Sequence, residues 1–370
     1  MIYRIVVFLI VLQGVVLFGH WVIYKTLTSF LNISRPETLW RLRIIFLILG
    51  LAFIVASLLT SRWSTPALDW FYTAAAVWMG TLHFLLLGSI VYWAVYALAS
   101  YAELTLPTAA TGLTVYGTGI LLSLYGLYNS FNVQITPYTV NIAGLPESWK
   151  GRTAVVVSDT HFGNIRGQKT AIGMVDKINA LHPDIVFIPG DYFDGPMADF
   201  TKLAAPLSKL NAPLGVFFSS GNHEEFGQSS SPYWNAIALA NVHILNNRVE
   251  AVDGLQIAGT IYKGSNTEKE LSDTLSKIPY DRNQPLVLLK HAPFVPEVAA
   301  RNGVSLMISG HTHEGQMWPY SLITDLLFGD ASYGKYKRDN MTGVTTSGFG
   351  TWGPPQRLGT TAEIVVLRFQ

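Results

Sequence analysis

Five short apolar runs in the second half of the chain each end in residues that can bind a metal ion. The runs are rich in Val, Ile and Phe and too short for helices, which favours buried strands; they span residues 154–157, 185–188, 214–219, 286–289 and 305–308. The residues that follow them are Asp159 and His161, Asp191 and Asp194, Asn222 and His223, His291, and finally His311 and His313. Ligands collect at the carboxyl ends of strands in open α/β sheets, so these side chains are predicted to converge on one site.

Each short motif also has an ordinary structural explanation when it is taken alone. Carboxylates in turns, Gly-Asp and Gly-Asn pairs, and a histidine before a proline turn are all common. Together, however, the motifs would bury several unpaired polar groups, which is costly without a cation. The chain has no cysteine, so any metal must be bound by nitrogen and oxygen atoms. Such a mixed set suits Mn²⁺, Fe or Zn²⁺ better than Mg²⁺ or Ca²⁺.

Between these runs lie segments that mix polar and apolar residues and are compatible with surface helices. They span residues 168–181, 197–210, 232–240, 268–278 and 295–302. Residues 132–151 read as a link followed by a first short strand. The alternation predicts a layered α/β domain over residues 131–370.

The first 130 residues have a different character, because nearly all the long apolar runs of the chain lie there. Hydrophobic residues make up 49% of the whole chain and charged residues only 13%, which favours a membrane protein. Four runs approach the roughly 20 residues that a helix needs to cross a bilayer; they are 5–24, 42–59, 68–98 and 109–128. The third exceeds a simple span, which predicts tilt, protrusion or a broken pair. The first has no A-x-A-like cleavage site and is predicted to be retained. Residues 1–130 are thus predicted to be a transmembrane domain of about four helices.

The charges of the loops bear on the side of the membrane that each part faces. Basic residues cluster around the first loop, which the positive-inside rule places in the cytoplasm; they are Lys25, Arg35, Arg41 and Arg43. With four spans, the α/β domain of a multi-pass protein of the cell (inner) membrane is then expected outside the cytoplasm. Arg4, Lys150 and Arg152 favour the opposite orientation, and one span more or fewer would reverse it. The net charge of +1 gives no field that would favour nucleic acid, so the lipid bilayer is the expected partner.

The motifs DTH, GDYFD, GNHE, KHAP and GHTH, in this order, resemble the signature of the calcineurin-like metallophosphoesterases. The resemblance covers about residues 135 to 370. The form GHTHEGQ and the closing SGFGTWGPPQRLG with AEIVVLRF resemble the membrane-associated branch, which has amino-terminal spans. Glu314 departs from that branch, which often has glycine there. The implied fold is a transmembrane helical bundle followed by a β-sandwich flanked by helices.

The resemblance also implies two divalent metal ions and assigns their ligands. One ion would be bound by Asp159, His161, Asp191 and His313, and the other by Asp191, Asn222, His291 and His311, with Asp191 bridging them. Two such ions can deprotonate a bridging water, so hydrolysis by metal-activated hydroxide is expected. His223 is expected to stabilise the transition state or protonate the leaving group. Asp194 is expected to orient a ligand histidine or the backbone of the site.

The segment 317–340 follows the last metal motif and has an apolar first part and a basic end. It could be a surface hairpin, or an amphipathic lip that lies against the bilayer and admits an acyl chain. In the second case Trp318 and the basic residues would bind substrate; these are Lys335, Lys337 and Arg338. Four aromatic residues could wall the pocket, although core packing explains any one of them equally well; they are Phe162, Phe193, Trp318 and Trp352.

These observations predict a membrane-bound phosphohydrolase that cleaves a phosphoester or pyrophosphate bond of a lipid or lipid-linked substrate. A domain in the cytoplasm would instead permit an activity like that of UDP-2,3-diacylglucosamine pyrophosphohydrolase. Two other classes stay open, a non-catalytic interaction module and a transporter with a regulatory phosphatase domain. The spans offer the transporter only His20, His83 and the long third run.

Overall fold

The computed structural model describes residues 2–195, 198–225 and 231–370. It divides into two compact units. The first unit comprises residues 1–128 and 353–356, and the second comprises residues 129–352 and 357–370. The predicted division into domains at residue 130 stays a prediction.

The first unit contains four helices that are long and apolar enough to cross a membrane. They are α1 (Ile2–Phe30), α2 (Pro36–Thr60), α3 (Pro66–Tyr101) and α4 (Thr108–Phe131). Proline at the first turn of α2 and of α3 fits the helix start, where its missing N–H costs nothing. The long third run is one continuous helix of 36 residues and not a broken pair. The chain is thus a membrane protein with four candidate spans.

Polar side chains within the first unit are satisfied by neighbouring helices. Trp78 Nε1 on α3 donates to His20 Nε2 on α1 at 2.9 Å, and His20 Nδ1 lies 2.8 Å from the Val16 carbonyl. Gln356 Nε2 donates to Ser123 Oγ on α4 at 2.7 Å. His20 therefore has a structural role in helix packing.

The second unit contains twelve strands among its described residues. They are β1 (Gln134–Val140), β2 (Thr153–Val156), β3 (Ile185–Pro189), β4 (Val216–Ser219), β5 (His243–Ile244), β6 (Arg248–Val252), β7 (Leu255–Gly259), β8 (Leu286–Leu289), β9 (Leu306–Ser309), β10 (Gly334–Arg338), β11 (Met341–Thr345) and β12 (Glu363–Phe369). The five apolar runs of the sequence correspond to β2, β3, β4, β8 and β9.

Seven short helices accompany these strands in the described part of the unit. They are α5 (Gln168–Asn179), α6 (Phe200–Ala204), α7 (Asn222–Glu225), α8 (Ser231–Leu239), α9 (Glu268–Lys277), α10 (Pro296–Arg301) and α11 (Tyr320–Phe328). Five of them match the predicted helical segments, although the predicted start at residue 197 lies outside the described residues. Sequence analysis missed α7 and α11. The segment 317–340 contains α11 followed by the β10–β11 hairpin.

The strands form two six-stranded sheets that face each other. Their orders are β1-β12-β2-β3-β4-β5 and β10-β11-β9-β8-β7-β6. One apolar cluster fills the space between the sheets, with Val156 and Phe187 from the first and Ile257 and Val287 from the second. Separate clusters bury the outer faces, against α5 and α8 on one side and α9 and α10 on the other. The predicted β-sandwich flanked by helices is confirmed.

The direction of the strands decides where the polar loops meet. β2, β3 and β4 are parallel neighbours in the first sheet, and β8 and β9 are parallel neighbours in the second. The carboxyl ends of parallel strands lie at the same edge of their sheet, so the five loops that follow them share one end of the sandwich.

Glu363, a fully buried carboxylate on β12, links the first sheet to the loop after β11. Its two oxygens accept hydrogen bonds from Thr136 Oγ1 on β1 and from Thr346 Oγ1 and the Ser347 N–H after β11. Tyr333 donates a fourth hydrogen bond at 3.2 Å. A buried carboxylate with four donors holds the sandwich together at this edge.

The substitution Glu363→Ala is expected to lower the melting temperature of the detergent-purified protein by several degrees. It leaves two buried and two partly buried donors without their acceptor, and each fully buried one costs about 1–3 kcal/mol. Leu239→Ala on α8 is the control, because that side chain is 75% exposed and its loss should change stability by no more than about 0.5 kcal/mol. Equal melting temperatures for the two variants would contradict this role of Glu363.

Candidate metal centre

The structure brings all seven predicted ligands together where the loops of both sheets meet. Three groups of side chains have ligand atoms within 4.8 Å of one another. They are Asp159 with His161 and His313, Asp191 with His291 and His311, and His161 with Asp194 and His223. The assignment of these residues as metal ligands stays a prediction, and their convergence is what the pattern of strand ends leads one to expect.

The first group contains two imidazoles whose ring nitrogens face each other. His161 Nε2 lies 3.1 Å from His313 Nε2, and the latter lies 3.5 Å from Asp159 Oδ1. All three residues are buried. His161 Nδ1 has no hydrogen-bond partner among the described residues.

The second group is centred on His291, whose two nitrogens have different neighbours. His291 Nδ1 lies 2.7 Å from the Pro189 carbonyl, which fixes the proton on that nitrogen and directs the Nε2 lone pair into the site. His291 Nε2 lies 3.1 Å from Asp191 Oδ2, 3.1 Å from Asn222 Oδ1 and 3.2 Å from His311 Nδ1.

The donor set fits divalent cations. Carboxylate, amide and imidazole atoms point at one another, and most of them can only accept a hydrogen bond in the neutral or anionic form that ligation requires. Within the described residues, neither Asp159 nor Asp191 has an ion pair with Lys or Arg, and the charged or chargeable side chains within 4.0 Å of them are histidines. Two buried carboxylates so arranged need a positive charge between them.

The electrostatics of the site point to the same need for positive charge. Burial raises the pKa of Asp159 to about 6 and lowers the pKa of both His161 and His311 to about 3. Burial alone would also lower the pKa of His291, but Asp191 and Asp159 raise it to about 9. The two carboxylates thus stabilise a positive charge on His291. A divalent cation bound between them would supply the same stabilising positive charge.

His223 and Asp194 form a pair at the edge of the first group. His223 Nδ1 lies 3.2 Å from Asp194 Oδ1, and its ring lies edge-on to His161 with centroids 4.6 Å apart. Burial would lower the pKa of His223, but the hydrogen bond to Asp194 raises it to about 9. Asp194 therefore keeps the His223 imidazole protonated next to the ligand cluster.

Glu224 is a buried residue of the site to which sequence analysis gave no role. Its carboxylate accepts four backbone N–H groups, from Asp191 at 3.0 Å, Tyr192 at 2.8 Å, Phe193 at 3.1 Å and Gly221 at 2.8 Å. Burial and the charge of Asp191 raise its pKa to about 7, against the N–H groups, which favour the anion. Glu224 fixes the loop after β3 to the loop after β4. The acidic residue of GNHE was the available signal.

Arg357, which is also fully buried, supports His313 from behind. Its Nη2 lies 3.3 Å from His313 Nδ1 and donates to the Ser347 and Gly350 carbonyls at 2.6 and 2.7 Å. The same guanidinium donates from Nη1 to the His313 carbonyl at 3.3 Å. The closing motif therefore holds the second histidine of GHTH in place.

The backbone at the site adopts conformations that L-residues seldom use. Positive φ angles occur at Asp159 (53°), His161 (48°), Asp191 (51°), His311 (71°) and His313 (48°). Such strain is concentrated where the surrounding structure enforces it, commonly at functional sites. Glycine is needed at Gly310, because a Cβ there would lie 2.0 Å from Asp159 Oδ2. The backbone of these loops thus packs closely against the Asp159 carboxylate.

The aromatic residues considered as pocket walls differ in their burial. Phe162 and Phe193 are fully buried in the core cluster that contains α5, so core packing, the other explanation that the sequence left open, applies to them. Trp318 and Trp352 are exposed, by 52% and 63%.

The three basic residues of β10 have different partners. Arg338 is paired with Glu297 and Asp330, Lys335 donates to the Thr139 carbonyl, and Lys337 is exposed. Their role in substrate binding stays a prediction.

Known proteins resemble this chain over part of its length. Residues 152–315 match the family described as calcineurin-like phosphoesterase. A transmembrane protein with metallophosphoesterase domain from Bos taurus is 32% identical over 270 residues, which cover 68% of this chain and 60% of that protein. An uncharacterized metallophosphoesterase from Aquifex aeolicus is 30% identical over 263 residues, which cover 67% of this chain and 96% of that protein.

This chain therefore spans about three fifths of the length of the bovine relative. Among solved structures, a 5'-nucleotidase precursor from Thermus thermophilus aligns with a TM-score of 0.36 and 15% identity, over 58% of this chain and 54% of that chain. That structural similarity is too low to support an argument.

The substitution Glu224→Gln is expected to weaken metal binding by about 10- to 100-fold, because its amide NH₂ would face backbone N–H groups and release the two loops. Calorimetric titration of the metal-depleted protein with Mn²⁺ measures the effect. Glu147→Gln is the matched control, since the Glu147 side chain is 83% exposed. An Mn²⁺ affinity equal to that of the wild type would contradict the positioning role of Glu224.

Proposed function

This chain belongs to the calcineurin-like phosphoesterase family, and we propose that it is a membrane-bound hydrolase that cleaves a phosphoester or pyrophosphate bond with two divalent metal ions. The observation that supports this most directly is the cluster of Asp159, Asp191 and four histidines, in which no described Lys or Arg lies within ion-pair distance of either carboxylate. Clusters of acceptors that face one another in this way need cations.

The proposed ligand sets follow the two halves of the cluster. Asp159, His161, Asp191 and His313 would hold one ion, and Asp191, Asn222, His291 and His311 would hold the other. Bound divalent cations in such a pair polarise a phosphoryl group and supply a nucleophile at neutral pH. Imidazole-rich ligand sets favour Mn²⁺, Fe or Zn²⁺.

His223 is the proposed general acid. Its Nδ1 is held by Asp194, so Nε2 is the ring atom that would carry the proton toward the leaving oxygen. The raised pKa of His223, about 9, keeps that proton in place near neutral pH. An imidazolium beside the cluster would also stabilise negative charge that develops on the phosphoryl oxygens.

The proposed substrate is a lipid or a lipid-linked phosphate. Four candidate spans would hold the chain in a bilayer. Lipid substrates would then reach it by diffusing within the plane of that bilayer. Exposed apolar residues of the segment that follows the last metal motif, including Trp318, would contact the hydrocarbon part, and the exposed Lys337 is available to a headgroup phosphate. Arg338 is a weaker candidate, because two carboxylates already pair with it.

The side of the membrane separates two classes of substrate. Loop charges favour a catalytic unit outside the cytoplasm in the inner membrane. A nucleotide-linked lipid such as UDP-2,3-diacylglucosamine is a substrate only for a cytoplasmic enzyme. A non-catalytic module is a further alternative, but a binding module would have no need to retain every ligand together with the His223–Asp194 pair.

Because the chain has no cysteine, single cysteines report the topology cleanly. Ser276→Cys on α9 and Ser34→Cys in the first loop both lie at exposed positions. A membrane-impermeant maleimide is expected to label Ser276→Cys in intact spheroplasts and Ser34→Cys only after permeabilisation. The reverse pattern would move the catalytic unit to the cytoplasm and favour the nucleotide-linked lipid.

The hydrolase proposal is tested with p-nitrophenyl phosphate mono- and diesters and with phospholipids, with Mn²⁺ or with chelator. Asp191→Ala is expected to abolish turnover and to lower the content of bound metal, because Asp191 is the ligand proposed to be shared by both ions. His223→Gln is expected to lower kcat by about 10²- to 10⁴-fold while metal stays bound. Turnover that survives both chelation and Asp191→Ala would contradict the proposal, and absence of bound metal would favour the non-catalytic module.

A further inference from the structure

Three aromatic side chains stand beside His311 on the surface of the candidate metal centre. The ring centroids of Tyr262, Phe294 and Phe328 lie 5.6, 6.3 and 6.3 Å from that of His311. Phe294 and Phe328 lie 4.7 Å apart, so the rings form a continuous surface. These three residues are called the aromatic wall below.

The aromatic wall is not part of the core. All three of its residues are partly exposed, and none belongs to the buried clusters that fill the sandwich or its outer faces. Partly open rings beside a charged centre are typical of a ligand pocket, where apolar walls surround a few polar groups. The wall contains a single polar side-chain atom, the Tyr262 hydroxyl.

The aromatic wall continues into an aliphatic surface. Phe328 is the last residue of α11, and no residue of this helix is buried. Its side chains Leu322, Leu326 and Leu327 are 61%, 85% and 64% exposed. Exposed apolar surface of this extent marks an interaction site.

Helix α11 is fixed to the loop that carries His311. Thr312 Oγ1 donates to the Ser332 carbonyl at 2.7 Å, and Ser332 Oγ donates to Asp325 Oδ1 on α11 at 2.6 Å. Gly315 lets the helix approach closely, since a Cβ there would lie 2.2 Å from the Ser321 nitrogen. The wall and the leucines of α11 are therefore held in one place relative to the ligand cluster.

The two ends of the centre differ in polarity, which gives a substrate one orientation. His223 and Asp194 stand on the His161 side, and the aromatic wall stands on the His311 side. Leucine side chains offer neither a stacking face nor a hydrogen bond, so the surface as a whole suits a flexible hydrocarbon better than a nucleobase.

Building on the proposed function, we propose that Tyr262, Phe294 and Phe328 together with the leucines of α11 form a subsite for a hydrocarbon chain. The phosphoryl group of an amphiphilic phosphoester lies at the ligand cluster, and its alkyl or acyl chain lies along the wall and out over α11. The preferred substrates are accordingly phosphoesters with a long aliphatic group.

The test uses methyl, butyl and hexyl p-nitrophenyl phosphodiesters, which share one leaving group. They are assayed with the full-length protein in bilayer nanodiscs with Mn²⁺. For the wild type, kcat/KM is expected to rise by at least about ten-fold from methyl to hexyl, because a fully buried methylene contributes up to about four-fold. Phe328→Ala and Phe294→Ala should remove most of this rise, measured as the ratio of kcat/KM between the hexyl and methyl esters of each variant.

Conservative and remote variants separate the subsite from a general loss of structure. Phe328→Leu and Tyr262→Phe keep an apolar side chain and should keep the dependence on chain length. Leu239→Ala removes an exposed apolar side chain from α8, outside the wall, and should behave as the wild type.

Each outcome decides between the two proposals. Cleavage of the methyl ester without a rise toward hexyl, or a preference for phenyl or nucleoside esters of the same phosphate, overturns the hydrocarbon subsite and leaves the hydrolase intact. If no diester is cleaved, binding of methyl and hexyl phosphate to the Mn²⁺-loaded wild type and Phe328→Ala is compared by calorimetry. Tighter hexyl binding in the wild type alone supports the subsite, and equal binding overturns it.

Discussion

The structure of the second unit depends on one electrostatic constraint: the carboxylates buried at one end of the β-sandwich require a positive charge beside them. Asp159 and Asp191 are buried there among imidazoles, and the surrounding residues supply no lysine or arginine partner in the described part of the chain. Burying two carboxylates without such a partner costs several kcal/mol per ion unless a cation binds. The strained backbone angles and the close-packed glycines of these loops are consistent with a structure kept for binding and chemistry rather than for stability.

Two sets of residues build the site, the candidate ligands and the residues that hold the ligand loops in place. Strands supply the ligands from their ends, and buried charged residues hold the loops from outside the cluster. Glu224 gathers the backbone N–H groups of two loops, and Arg357 gathers the carbonyls around His313. The Glu224 carboxylate thus accepts backbone N–H groups, and the Arg357 guanidinium donates to backbone carbonyls. Without these side chains, the N–H and carbonyl groups of the tight turns would lack hydrogen-bond partners.

Apolar surface near the centre links this chemistry to a membrane setting. Four long apolar helices make the chain a membrane protein, and α11 exposes leucines from a unit whose other helices cover a core. Soluble proteins seldom leave such a helix uncovered. A phosphohydrolase with a polar acid on one side and an apolar wall on the other is suited to substrates that are themselves amphiphilic.

The family resemblance implied the sandwich class, and the sequence pattern by itself determined the four long apolar segments, the alternation of strands and helices and the convergence of the metal motifs. Those features depend on local periodicity and on the rule that parallel strands end at one edge, so short-range pattern is sufficient for them. Only the tertiary structure decided that Glu224 and Arg357 support the loops, that Phe162 and Phe193 are core, and that Tyr262 and Phe294 stand beside His311. These roles depend on which face of a loop a side chain takes and on contacts between distant segments, and neither is encoded in spacing along the chain.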